Sequence, residues 1–222
     1  MLYIIPTPIG NLEDITLRSL RILKDSDLIL AEDTRVSGKL LKHYNIKTPM
    51  ESFHMFNEHI KVRKYVEYLK KGKIISVVSD AGTPGISDPG YLLVRNALDN
   101  EIKVSCLPGA TAFIPALVQS GLPCDRFIFE GFLPSKKGRL NRLKQMATES
   151  KTIVFYESPH KLLKLISKME PIFGRNRKIA IVREISKLYE STFSGTLEEA
   201  KFYFEEKTPK GEFVIIVEGI ND

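Results

Sequence analysis

The hydrophobic positions of the chain fall into short dense runs, separated by longer stretches in which apolar residues recur every three or four places. In the first half the runs are Leu2 to Ile5, Leu28 to Leu30, Met50 to Phe53, Ile74 to Val78 and Val104 to Leu107. Largely apolar runs of this length read as strands covered on both faces, and Met50 to Phe53, which holds Glu51 and Ser52, reads as a third strand in the series. Between them Leu17, Leu20, Ile22 and Leu23 mark a helix with Thr16 as its cap, and Gly38 to His43 keeps helical register. Ile60, Val62, Tyr65, Val66 and Leu69 make a further helix with Asn57 as its cap, and Tyr91 to Leu98 another. Strand and helix alternate, so the economical arrangement is a parallel sheet with helices on both sides.

The alternation pauses near Ser120-Gly121-Leu122-Pro123, and the texture then changes. Arg126 to Glu130, Thr152 to Tyr156, Ile179 to Arg183 and Glu212 to Val217 read as strands, whereas Tyr189 to Gly195 alternates as an antiparallel strand does. The expected fold class is therefore α/β in two domains. A parallel-sheet N-terminal domain spans residues 1–117 and a mixed-sheet C-terminal domain spans 118–222, with no long linker and no internal repeat.

The loop Ser79-Asp80-Ala81-Gly82-Thr83-Pro84-Gly85-Ile86-Ser87-Asp88-Pro89-Gly90, after the run Ile74 to Val78, is the first candidate for a site. Parallel sheets bind ligands at the carboxyl ends of their strands, and glycines there let backbone approach a ligand. Glycine and proline also punctuate ordinary strand-to-helix connections, so the loop alone decides nothing. Neither G-x-G-x-x-G nor G-x-x-x-x-G-K-[ST] occurs, so a nucleotide-like ligand would be held in another way.

Composition and local spacing add further constraints. The 222 residues carry a net charge of +6, a mild tilt toward a polyanionic partner such as RNA. Lys136, Lys137, Arg139, Arg142 and Lys144 cluster with no acid between Glu130 and Glu149, which reads as a phosphate-facing patch. The N-terminus lacks a basic region and no apolar run reaches membrane-spanning length, which predicts a cytosolic protein. Cys106 and Cys124 lie far apart, and His43, His54, His59 and His160 lack metal-ligand spacing, so neither a disulfide nor a metal site is expected. Phe53, Phe56, Tyr65 and Tyr68 read as packing residues.

Several stretches carry a resemblance. Pro6-Thr7-Pro8-Ile9-Gly10-Asn11-Leu12-Glu13-Asp14-Ile15-Thr16, Ala31-Glu32-Asp33-Thr34-Arg35, the Ser79 to Gly90 loop, Leu107-Pro108-Gly109-Ala110-Thr111, Phe155-Tyr156-Glu157-Ser158 and Arg183-Glu184 follow in order the motifs of the tetrapyrrole methylase family. Within that family the chain resembles the branch that methylates a cytidine ribose 2′-hydroxyl of small-subunit (16S) ribosomal RNA, using S-adenosylmethionine. One departure is His54-Met55-Phe56-Asn57-Glu58, where that branch usually shows His, Glu, His, Asn, Glu.

The resemblance implies a homodimer of two-domain subunits with the methyl donor in the cleft between domains. Pro8, Ser79, Asp80, Ala81, Gly82, Thr83, Pro108, Gly109, Ala110 and Thr111 would then face the donor, joined by Tyr156 and Gly211. Arg35, with Lys136, Lys137, Arg139 and Arg142, would meet the RNA.

Methyl transfer to an alcohol is an in-line displacement that needs alignment and no metal. A neutral hydroxyl is a weak nucleophile, so a carboxylate or a lysine of depressed pKa would assist. Glu184, Glu212, Asp80 and Glu32 are the carboxylates at strand exits and Lys210 the cation, while Arg183 beside Glu184 would receive a substrate phosphate or form a structural pair. Two rivals stand beside the ribosomal RNA reading: a small-molecule tetrapyrrole methylase, and a non-catalytic RNA-binding module on the same fold.

Overall fold

The computed structural model describes residues 1–134 and 138–220. The chain divides into two compact units, Met1–Thr111 and Ala112–Asp222.

The first unit alternates β1 (Leu2–Ile4), α1 (Leu17–Asp25), β2 (Leu28–Ala31), α2 (Thr34–His43), β3 (Met50–Ser52), α3 (Glu58–Lys70), β4 (Ile75–Val78), α4 (Tyr91–Asp99) and β5 (Val104–Cys106). All pairings are parallel, in the order β3-β2-β4-β1-β5. Period-two alternation sorts the side chains. Leu2, Ile4, Leu28, Leu30, Ile75 and Val77 meet α3 and α4 on one face, whereas Ile5, Ile29, Ala31 and Val78 meet α1 and α2 on the other. Neighbouring strands β1 and β4 therefore send the chain to opposite faces, which opens a crevice at their carboxyl ends. That crevice is where the Ser79 to Gly90 loop lies.

Capping places two of the expected helix starts differently. Thr16 accepts from the Ser19 amide as expected, but Asn57 makes no side-chain cap bond: its Oδ1 accepts from the His54 amide. The α2 helix begins at Thr34, ahead of Gly38, because the Asp33 carboxylate accepts from the Arg35 amide and fixes the first turn. Phe53 and Tyr65 are core residues, but Phe56 is 90% exposed.

The second unit comprises α5 (Phe113–Gln119), β6 (Phe127–Phe132), α6 (Arg139–Ala147), β7 (Thr152–Glu157), α7 (Pro159–Phe173), β8 (Lys178–Arg183), β9 (Ser191–Thr196), α8 (Leu197–Glu205) and β10 (Phe213–Val217). Its sheet runs β6-β7-β10-β8-β9, parallel only between β6 and β7. The α6, α7 and α8 helices bury Leu143, Leu165, Met169 and Phe204 against Phe155, Ile181 and Ile215. The opposite face receives α5, whose Phe113 ring stacks on Phe129 at 4.3 Å between centroids. Among the described residues no helix is long and apolar enough to cross a membrane.

Candidate functional site

The loops that leave β1, β4 and β5 are joined by their own backbone. Thr7 and Gly82 exchange a pair of amide-to-carbonyl bonds of 2.9 and 3.0 Å, and the Thr7 hydroxyl donates to the Ser79 carbonyl. The Thr83 hydroxyl donates to the carbonyl of Ala110, which ties the β4 exit to the β5 exit. Two glycines are needed for this closeness. Gly82 has φ of +82°, and a Cβ on Gly109 would lie 2.5 Å from the Pro6 ring. The structure thus brings Ser79, Asp80, Ala81, Gly82, Thr83 and Ala110 into one patch, with Pro8 and Gly109 on the same loops. Thr7, which the sequence reading did not single out, ties this patch together; its signal was a hydroxyl inside a proline-flanked turn.

Around this patch stand carboxylates. The Asp33 amide donates to Asp80 at 3.0 Å, and the Asp80 amide to Glu32 at 3.4 Å. Partial burial, reinforced by neighbouring acids, raises the pKa of Glu32 and Asp80 and pushes that of Asp88 up to about 6. Among the described residues none of these three has a cation in an ion pair. Asp33 differs: the Arg35 guanidinium grips it at 2.6 Å and holds its pKa down at about 2. The exposed Arg35, expected to meet RNA, is thus already occupied by a carboxylate. His54 and Glu58 line the same end of the sheet. Glu58 is buried and accepts from the amides of Gly90 and Leu92, so it caps α4 from another helix.

In the second unit the β8 exit carries Arg183 and Glu184, and the β10 entry carries Lys210, Gly211 and Glu212. These five residues form one cluster. Glu184 Oε1 accepts from the Glu212 amide at 2.8 Å and from Lys187 Nζ at 3.0 Å, and Lys187 also reaches Glu212. A Cβ on Gly211 would strike the Glu184 side chain at 2.4 Å, so the carboxylate lies flat on that turn. Burial works to raise the Glu184 pKa, but the Glu212 amide and Lys187 outweigh it and hold it below the usual carboxylate range. Arg183 does not pair with Glu184; its Nε donates to the Lys210 carbonyl at 2.6 Å. Tyr156, on β7 opposite Val214, packs its ring against Phe129 and Phe132.

The basic helix differs from its sequence. Arg139 is 8% exposed and bonded to the buried Glu157, and Arg142 is bonded to Glu130. A patch free of acids along the chain is therefore not free of acids in space, because β6 and β7 supply them. These two arginines are held by carboxylates and do not present a bare phosphate-facing surface. Lys136 and Lys137 lie outside the described residues. Among the described residues no group of His, Cys, Asp and Glu is arranged to hold a metal ion.

The family described as Tetrapyrrole (Corrin/Porphyrin) Methylases matches residues 1–201. A protein of Synechocystis sp. named Ribosomal RNA small subunit methyltransferase I is 47% identical over 220 residues, covering 99% of this chain and 79% of its own. A protein of the same name from Thermotoga maritima is 46% identical over 218 residues, 98% of each chain. Among solved structures, the uroporphyrin-III C-methyltransferase of Thermus thermophilus complexed with S-adenyl homocysteine aligns with a TM-score of 0.64. It is 18% identical and covers 97% of this chain and 96% of its own.

Proposed function

The chain belongs to the tetrapyrrole (corrin/porphyrin) methylases, and we propose that it methylates the 2′-hydroxyl of a cytidine ribose in small-subunit (16S) ribosomal RNA, with S-adenosylmethionine as donor. One observation carries this reading. Near-half identity extends over both units to proteins named for small-subunit ribosomal RNA, whereas a porphyrin-methylating relative matches at 18%. The small-molecule acceptor and the non-catalytic module have no comparable support.

The residues of the first unit suit the donor. S-adenosylmethionine, when bound, supplies a methyl group on a positively charged sulfur that becomes neutral on transfer. Glu32, Asp80 and Asp88 form a patch of carboxylates that has no ion pair among the described residues, which favours a cationic ligand. Gly82 and Gly109, with Thr7 and Thr83 tying their loops, give a rigid backbone floor for it. In the second unit Glu184 acts as a positioning residue. It fixes the Lys210-Gly211-Glu212 turn and, through it, the carbonyl that orients Arg183 for a substrate phosphate. On the same resemblance the protein works as a homodimer in the cytoplasm. Mapping ribose methylation on small-subunit ribosomal RNA from cells with and without the protein tests the function. Loss of one cytidine 2′-O-methyl group is expected, and an unchanged map overturns the assignment.

A further inference from the structure

The second unit holds a cavity of about 310 Å³ between the β8–β9 edge, α8 and the segment that leads into β10. Its size is at the low end of small-molecule sites, roughly 300–1,000 Å³. Three cations line it, Arg183, Lys207 and Lys210, and no carboxylate does. Arg183 is oriented by its Nε bond to the Lys210 carbonyl, and its terminal nitrogens bond nothing else among the described residues. Two rings form a wall: Phe193 and Tyr203 lie 5.0 Å apart at an interplanar angle of 39°. Tyr203 remains 37% exposed, and Lys207 Nζ sits 3.8 Å from its ring centroid. Thr208 adds a hydroxyl.

An aromatic wall with cations and no acid is the chemistry that takes a flat ring bearing a phosphate. We propose that this cavity binds one nucleotide of a single-stranded segment of the substrate RNA, the base against Tyr203 and the phosphate on Arg183 and Lys207. The proposal rests on the ribosomal RNA reading above, because that reading supplies the strand. It extends the Arg183–Lys210 side of the strand-exit cluster to Phe193, Tyr203, Lys207 and Thr208, which no motif contains. A single-stranded segment is favoured over a duplex because stacking needs a base free of its own neighbours.

The test is fluorescence anisotropy of a short single-stranded oligoribonucleotide with the full chain, at several salt concentrations, beside S-adenosylmethionine affinity and melting temperature. Stacking on one aromatic residue contributes about 1–3 kcal/mol, so Tyr203→Leu should weaken binding roughly fivefold to a hundredfold, and Tyr203→Phe should bind as the wild type does. Lys207→Gln should reduce the slope of log affinity against log salt by about 0.7. Folded Tyr203→Leu and Lys207→Gln proteins with wild-type affinity and slope would overturn the proposal, as would inorganic phosphate displacing the strand as well as a mononucleotide does. If Tyr203→Leu melts early, Lys207→Gln alone decides. Variants without effect on RNA binding in a protein that still methylates ribosomal RNA sink the cavity and spare the function. A wild type that stacks the strand but leaves ribosomal RNA unmethylated does the reverse.

Discussion

The two sheets hold carboxylates at their ends in opposite conditions. In the first unit Glu32, Asp80 and Asp88 crowd together with no ion pair among the described residues and take their protons back more readily than ordinary acids. In the second unit Glu157 meets Arg139, Glu130 meets Arg142, and Glu184 meets Lys187 and a backbone amide. Burial pushes both the Asp88 and the Glu184 pKa up; at Asp88 it prevails, with Glu32 and Asp80 adding to it, whereas at Glu184 the Glu212 amide and Lys187 outweigh it. The second unit thus supplies a partner for each of its three carboxylates named above. Among the described residues the first unit supplies no ion-pair partner for Glu32, Asp80 or Asp88.

The comparison breaks most visibly at Arg139. If its role is to neutralise Glu157 inside the second unit, Arg139→Ala leaves a buried charge alone, which typically costs about 3–5 kcal/mol. A large drop in the urea midpoint is expected, with or without RNA. A variant that keeps its midpoint but loses RNA affinity would return Arg139 to the phosphate-facing surface.

Next is Gly82→Val. An added Cβ meets only ordinary neighbours, Ile9 at 3.5 Å and the Ala110 carbonyl at 3.6 Å, so the fold should survive. The φ of +82° makes any L side chain strained there, by roughly 1–2 kcal/mol. Donor binding should fall below detection in calorimetry, since the valine branches project over the loop floor. Unchanged affinity in a folded variant would remove this loop from the donor site.

Asp88 sharpens the contrast through pH. Its folded pKa, about 6, lies above the unfolded value of 3.8, so the folded state holds the proton more tightly. Stability is favoured below the unfolded value and is lost as pH rises through the folded one. The full shift would be worth about 3 kcal/mol, and solvent screening of this partly exposed group reduces it to about 1 kcal/mol. Asp88→Asn should therefore be more stable than the wild type above pH 6 and equal to it below pH 4. Denaturation curves at several pH values check this, and a pH-independent difference would refute it.

The parallel sheet was legible because both of its faces are covered, so β1, β2 and β4 appear as dense apolar runs, while the edge strand β3, Met50-Glu51-Ser52, is only partly buried. The strand-exit glycines were legible for a related reason, since conformation is a local property. The helices α5, α7 and α8 carry a helical pattern, including Leu162, Leu165, Ile166 and Met169, but the strands drew the reading. What pattern could not supply was partnership across the chain. Arg139 and Glu157, Glu184 and Lys187, and the Tyr203–Lys207 wall depend on which strand lies beside which, and charge counted along a segment carries no such information.

The smallest effect is expected at Glu184, where the comparison is most exposed. A general base must be free to accept a proton, and removing one typically costs 10²- to 10⁴-fold, about 3–5 kcal/mol of barrier. Glu184 already accepts two bonds on one oxygen, and its lowered pKa makes it a weak base at neutral pH. Gln at this position can still accept the Glu212 amide, and what is lost is the attraction to Lys187 and, to a smaller extent, to Arg183. Because the folded pKa is below the unfolded one, the charge stabilises above the unfolded value, and that contribution disappears as pH falls through the folded value. Glu184→Gln should thus lose about 0.5–1 kcal/mol at neutral pH and nothing in acid. Its single-turnover methylation should stay within about tenfold of the wild type. A fall of about 10²-fold or more, with an unchanged melting temperature and a lost acidic limb in the pH–rate profile, would make this carboxylate the base and leave the two units alike in their chemistry.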